Sequence, residues 1–200
     1  MSTFQTLAYL SPLIMGFGVA AALALTADRP AKRRLLAAGG VLAGLLAALL
    51  LASLASTPGA WLPVSVVLAS LGLLTAGVYL LCESARAPRE LSQIAAGLVI
   101  CFLMSTLFWA GPLIRAAADH RADGASISRR ISLSMDVNPF FVMAYSIFDV
   151  DLLHQPLFYN MGMADYVSSP PRWGVSSTGF AVAGAVLLAL AAGLRRVLKP

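Results

Sequence analysis

The chain has 200 residues, of which 59% are apolar and 12% charged, with a formal net charge of +5 and a mean hydropathy of +0.82. A soluble domain carries about a quarter of its residues charged, so this composition excludes a soluble globular fold and points to an integral membrane protein. At roughly 20 apolar residues per helical crossing, the chain has room for several spans and no second, soluble domain.

Irregular backbone or an open sheet facing lipid would leave peptide groups without partners. The expected fold is therefore all-α, a polytopic transmembrane helix bundle forming one domain over residues 1–200. The first span is expected at about 7–26; it has no basic leader, and its apolar run is too long for a signal core, so it stays in the mature chain. The second, at 35–54, contains Gly40 and Gly44 four apart, a spacing that lets helix backbones approach closely; Gly16 with Ala20 in the first span and Gly179 with Ala183 in the last repeat it. The third is expected at 62–82, the fourth at 94–114 and the fifth at 178–194. Pro12 and Pro112 are placed to bend the outer ends of the first and fourth spans.

Orientation follows from Lys and Arg. "DRPAKRR" holds Arg29, Lys32, Arg33 and Arg34, "ESARAPRE" holds Arg86 and Arg89, and the tail holds Arg195, Arg196 and Lys199. These three stretches fall at one face of the bundle, whereas "STPGAW" at the other carries no charge. Nine basic against three acidic side chains give that face a balance of +6, while the loop 115–177, with five Arg and six Asp, comes to −1. The positive-inside rule puts the N-terminus outside and the C-terminus in the cytoplasm, as expected for a bacterial inner membrane. Topology and anionic lipid account for the positive charge without any nucleic acid.

The outside loop is apolar, yet it is cut by Asn138, Pro139, Asp149, Asp151, His154 and Pro156 too often for one span. Asn138 suits an N-cap and Pro139 the first helical position, which predicts a short helix over "PFFVMAYSIF". A second short helix is expected through "LLHQPLFY", capped by Asp149 or Asp151 and interrupted by Pro156. Phe140, Phe141, Tyr145, Phe148, Phe158 and Tyr159, with several Met, then form an interfacial or re-entrant lid, or a docking surface for a partner.

Reactive chemistry is sparse. The middles of all five expected spans lack ionisable residues, which argues against a proton relay inside the bundle. No phosphate-binding glycine loop is present, so any use of ATP belongs to another chain. Asp151 and His154 share a helix face and, with the nearby Asp149 and with His120, are the candidate metal ligands, but no second ligand pair accompanies them and no metal or other cofactor is expected. Ser146, His154 and Asp149 lack a nucleophile-elbow pattern, so no enzyme activity is expected. Cys82 and Cys101 are expected as buried small side chains rather than a disulfide.

A last pair of spans separated by two short outside helices, opened by "NPF" and followed by "SSPPRW" and a basic-tailed final span, resembles the permease subunit of type-two ABC exporters, mainly over Trp109 to Lys199. The resemblance implies half of a dimeric translocation path, re-entrant helices at the outer mouth and a cytoplasmic ATPase partner. The first span here would match that family's second helix, and the family's first helix would have no counterpart. Two expectations follow, a transport subunit energised by a partner, or a non-catalytic scaffold of a larger membrane complex docking through the Met/aromatic loop. Either fits a homodimer or assembly with other membrane subunits.

Overall fold

The computed structural model describes residues 3–54, 58–106, 116, 124–150 and 171–198. Among them there are seven α-helices, one short 3-10 turn and no strand. In chain order these are α1 (Thr3–Leu25), α2 (Ala31–Leu54), the 3-10 turn Pro58–Ala60, α3 (Trp61–Ser84), α4 (Arg89–Met104), α5 (Gly124–Asp136), α6 (Pro139–Ser146) and α7 (Trp173–Val197). Four of them, α1, α2, α3 and α7, are long and apolar enough to cross a membrane. The continuation expected for α4 to residue 114 lies beyond Thr106, outside the described residues.

Two compact units are distinguished, Met1–Cys101 with Ser177–Pro200, and Phe102–Ser176. In the first, α3 is the central element: Val64, Val67, Leu68, Leu71, Leu74 and Tyr79 are all buried. α1 packs on it and on α2. The buried residues of α1, among them Phe4, Ala8, Ser11, Met15, Val19 and Leu23, recur every three to four positions along one face, as helical geometry requires. The helix runs unbroken through the buried Pro12. α2 is different, exposing Leu35, Leu36, Leu51 and Leu54, an apolar surface of the kind a bilayer covers.

Several hydroxyls inside the bundle are satisfied by their own helices. Ser70 Oγ donates to the Val67 carbonyl at 2.7 Å, Thr75 Oγ1 to Leu71 at 2.9 Å and Ser11 Oγ to Ala8 at 2.6 Å. Such back-bonding keeps polar atoms from demanding partners across helices. Cys82 and Cys101 are free thiols, half-buried rather than fully buried as expected.

Close helix approach is built on Gly16, which spacing singled out, and on Gly77, Gly97 and Gly184, which it did not. A Cβ on Gly184 would lie 2.7 Å from the Leu74 nitrogen, and one on Gly77 would lie 2.9 Å from the Gly184 carbonyl oxygen, so α3 and α7 touch backbone to backbone. Between α1 and α4 the fit is reciprocal, with Ile100 seated on Gly16 and the Phe17 ring on Gly97. Among the described residues, Gly40, Gly44 and Gly179 meet nothing within 4 Å, and Ala183 is exposed. These four residues are exposed, so their faces turn away from the other described helices.

The α3–α4 turn shows how the basic end is shaped. Arg86 adopts φ 63° at the position after the α3 C-cap, with Arg86 N–H donating to the Glu83 carbonyl at 3.0 Å and Ala87 N–H to Cys82 at 3.1 Å. This is a Schellman ending with Arg where Gly is usual, followed by Pro88. The Arg86 guanidinium in turn donates to the Leu198 carbonyl at 3.0 Å, tying the turn to the end of α7.

Candidate functional site

In the second unit, α5 was not anticipated from the sequence. Its buried positions Ile127, Ile131 and Met135 recur every fourth residue, while Arg129 and Arg130 are exposed. That stripe is the signal that reveals the helix, diluted in the sequence by four serines and two arginines. α5 packs on α6.

Asn138 sits between them and is buried. Its Oδ1 accepts from the N–H of Phe140 at 3.0 Å and of Phe141 at 3.3 Å, and its Nδ2 donates to the Met104 carbonyl at 2.9 Å. With Pro139 as the first helical residue, α6 begins where the sequence predicts, and it ends after eight residues rather than ten. Phe141, Val142, Met143 and Ala144 are all buried, and Phe140, Tyr145 and Phe148 are half-buried. Phe141 meets Phe140 edge-on at 5.9 Å and stacks on Tyr145 at 6.1 Å. α6 is thus a short, buried, apolar helix. The expected second short helix, with Phe158, Tyr159, Asp151 and His154, lies outside the described residues.

α5 and α6 also hold the start of α7. Ser146 Oγ accepts from the Trp173 N–H at 2.9 Å, and the Asp136 carboxylate accepts from the Arg172 backbone N–H. Both donors belong to the opening turn of a helix, which lacks intrahelical partners. Burial raises the Asp136 carboxyl above its ordinary value, and the hydrogen bond from Arg172 opposes this only in part.

At the basic end of the first unit, the six cations named from the sequence divide into classes. Arg29, Lys32 and Arg33 are exposed. Arg89 donates two hydrogen bonds to Asp28, which hold that carboxyl below the usual carboxylate value. Arg34 is buried instead: its guanidinium pairs with Glu83 at 2.9 Å and lies 6.0 Å above the Tyr79 ring. Glu83 also pairs with Arg195, whose Nε donates to Ser84 Oγ at 2.9 Å. One carboxylate on α3 thereby joins α2 and α7. Sequence reading grouped Arg34 with the surface cations because Glu83 is 49 positions away.

Among the described residues, no group of three His, Cys, Asp or Glu side chains is placed to hold a metal. Tyr79 Oη, Ser177 Oγ and Arg34 Nε are buried without a hydrogen-bond partner there. Compared with known proteins, the chain matches no family model, no curated protein and no solved structure.

Proposed function

We propose that this chain is a non-enzymatic membrane subunit of a transport system, resembling an ABC exporter permease and energised by a partner ATPase. In this reading it is a multi-pass protein of a bacterial inner membrane, its N-terminus outside and its basic end in the cytoplasm. The observation that carries the reading is α6: an eight-residue apolar helix, capped by Asn138 and buried over Phe141–Ala144, set in the chain before the last long helix. A helix so short cannot cross a bilayer, and burial of four consecutive side chains suits a re-entrant or gating element better than a docking surface. The Asp136 and Ser146 bonds to the opening of α7 give such an element a mechanical link to the last span.

The alternative is a non-catalytic scaffold in a larger membrane complex. The outward faces around Gly40, Gly44, Gly179 and Ala183 favour it, since small residues admit another helix closely. A mild-detergent pull-down of the tagged full-length chain, with every recovered protein identified, separates the two. Recovery of a nucleotide-binding ATPase supports transport. Recovery of other membrane proteins without one supports the scaffold and removes the transport reading.

A further inference from the structure

The basic end of the first unit carries more positive charge than its own side chains neutralise. Arg34 and Arg195 share the single carboxylate of Glu83, and no second carboxylate reaches either guanidinium among the described residues. One positive charge is left over where Arg34 is 9% exposed and therefore poorly hydrated. Among the described residues Arg34 Nε is also buried with no acceptor, a costly condition for a charged donor. The approach is open from one side, because the Arg195 side chain is 44% exposed. Flanking these cations in sequence are Leu35 and Leu36 on α2, and Leu190 and Val197 on α7, at 63%, 65%, 55% and 80% exposure.

We propose that the Arg34–Glu83–Arg195 cluster binds the phosphate of an anionic phospholipid, whose acyl chains lie on the exposed apolar faces of α2 and α7. A phosphodiester supplies one negative charge, matching the excess, and oxygen acceptors suited to planar guanidinium donors. Ser84 Oγ fixes the Arg195 head by accepting from its Nε, leaving the remaining edge for the ligand. Exposed leucines next to the cations favour a lipid over an acidic soluble protein, which would gain nothing from them. Inorganic phosphate has the same headgroup chemistry but no chains to place there.

The test is thermal unfolding of the detergent-purified full chain with added phosphatidylglycerol, phosphatidylcholine of the same acyl chains, inorganic phosphate, or polyglutamate. Phosphatidylglycerol is expected to raise Tm by about 2–4 °C or more, on the scale of a modest ligand-linked gain in a protein of this size, and the other three to leave it unchanged. Arg195→Gln should abolish the shift and Arg195→Lys should retain part of it. Changing the exposed Lys32 and Arg33 to Gln together should leave it intact. Loss of the shift in the Lys32/Arg33 variant but not in Arg195→Gln means diffuse surface attraction and overturns the proposal. An equal shift with inorganic phosphate means a free-anion site, and one with polyglutamate a protein-docking surface; either overturns it. Should Arg195→Gln fail to fold, native mass spectrometry of the wild-type chain decides: retention of about one phosphatidylglycerol per chain through exchange into phosphatidylcholine micelles supports the site, and complete exchange overturns it.

Discussion

At the scale of single residues, Asn138 and Asp136 do the most to define the second unit. Asn138 serves two purposes, capping α6 with its oxygen and holding the Met104 carbonyl with its amide nitrogen. Asn138→Ala removes both, and is expected to cost about 1–3 kcal/mol, the range for a lost cap and a stranded buried group. Asn138→Ser restores the cap without the Met104 bond and should fall between the two, as read by thermal unfolding in detergent. Asp136 sets a pH dependence. Its carboxyl is raised above the ordinary value of 3.8, so the native state binds more protons than the unfolded one between that value and the folded one. The contribution is fully present below the unfolded value and is lost as pH rises through the folded value. Stability measured from about pH 4 upward should fall more steeply in the wild-type chain than in Asp136→Asn, whose amide oxygen still accepts from Arg172.

At the scale of helices, the closest packing contacts lie at glycines, and spacing locates Gly16 but not Gly77, Gly97 or Gly184. A methyl group at Gly184 would press on the backbone of Leu73 and Leu74, which cannot yield as a flexible side chain can. Gly184→Ala is therefore expected to destabilise the chain by about 1–3 kcal/mol through overpacking, and Gly44→Ala to leave its unfolding unchanged or raise its stability by up to about 1 kcal/mol, since that position opens on empty space and alanine suits a helix interior better. If Gly44→Leu lowers the dimer fraction in light scattering while unfolding is unaltered, the α2 face contacts a second copy. The long helices were legible because apolar length is a composition signal: expected boundaries at 7–26, 35–54 and 62–82 lie within a few residues of α1, α2 and α3. The α6 cap was legible because Asn-Pro is a local signal with a local cause. Gly77 against Gly184 was not, since it depends on how two helices far apart in sequence are rotated about their axes. Nor was Arg34, whose burial depends on a carboxylate brought to it by the fold.

At the scale of the whole molecule, the arrangement of charge implies an orientation that labelling can test. α1 ends and α2 begins at the Asp28–Arg34 stretch, α3 ends and α4 begins at Glu83–Glu90, and α7 ends at Arg195–Val197, so the basic stretches all lie at one end of the first unit. Ion pairs join them there, Arg34 and Arg195 to Glu83 and Arg89 to Asp28. Translocating that end would carry a dense group of cations across the bilayer, which the positive-inside bias disfavours. Ala85 is exposed in this end, and Arg129 is exposed on α5. In a background with Cys82 and Cys101 changed to Ser, Arg129→Cys is expected to react with a membrane-impermeant maleimide in intact cells, and Ala85→Cys only after permeabilisation. The reverse pattern would put the Arg34–Glu83–Arg195 cluster on the outer face.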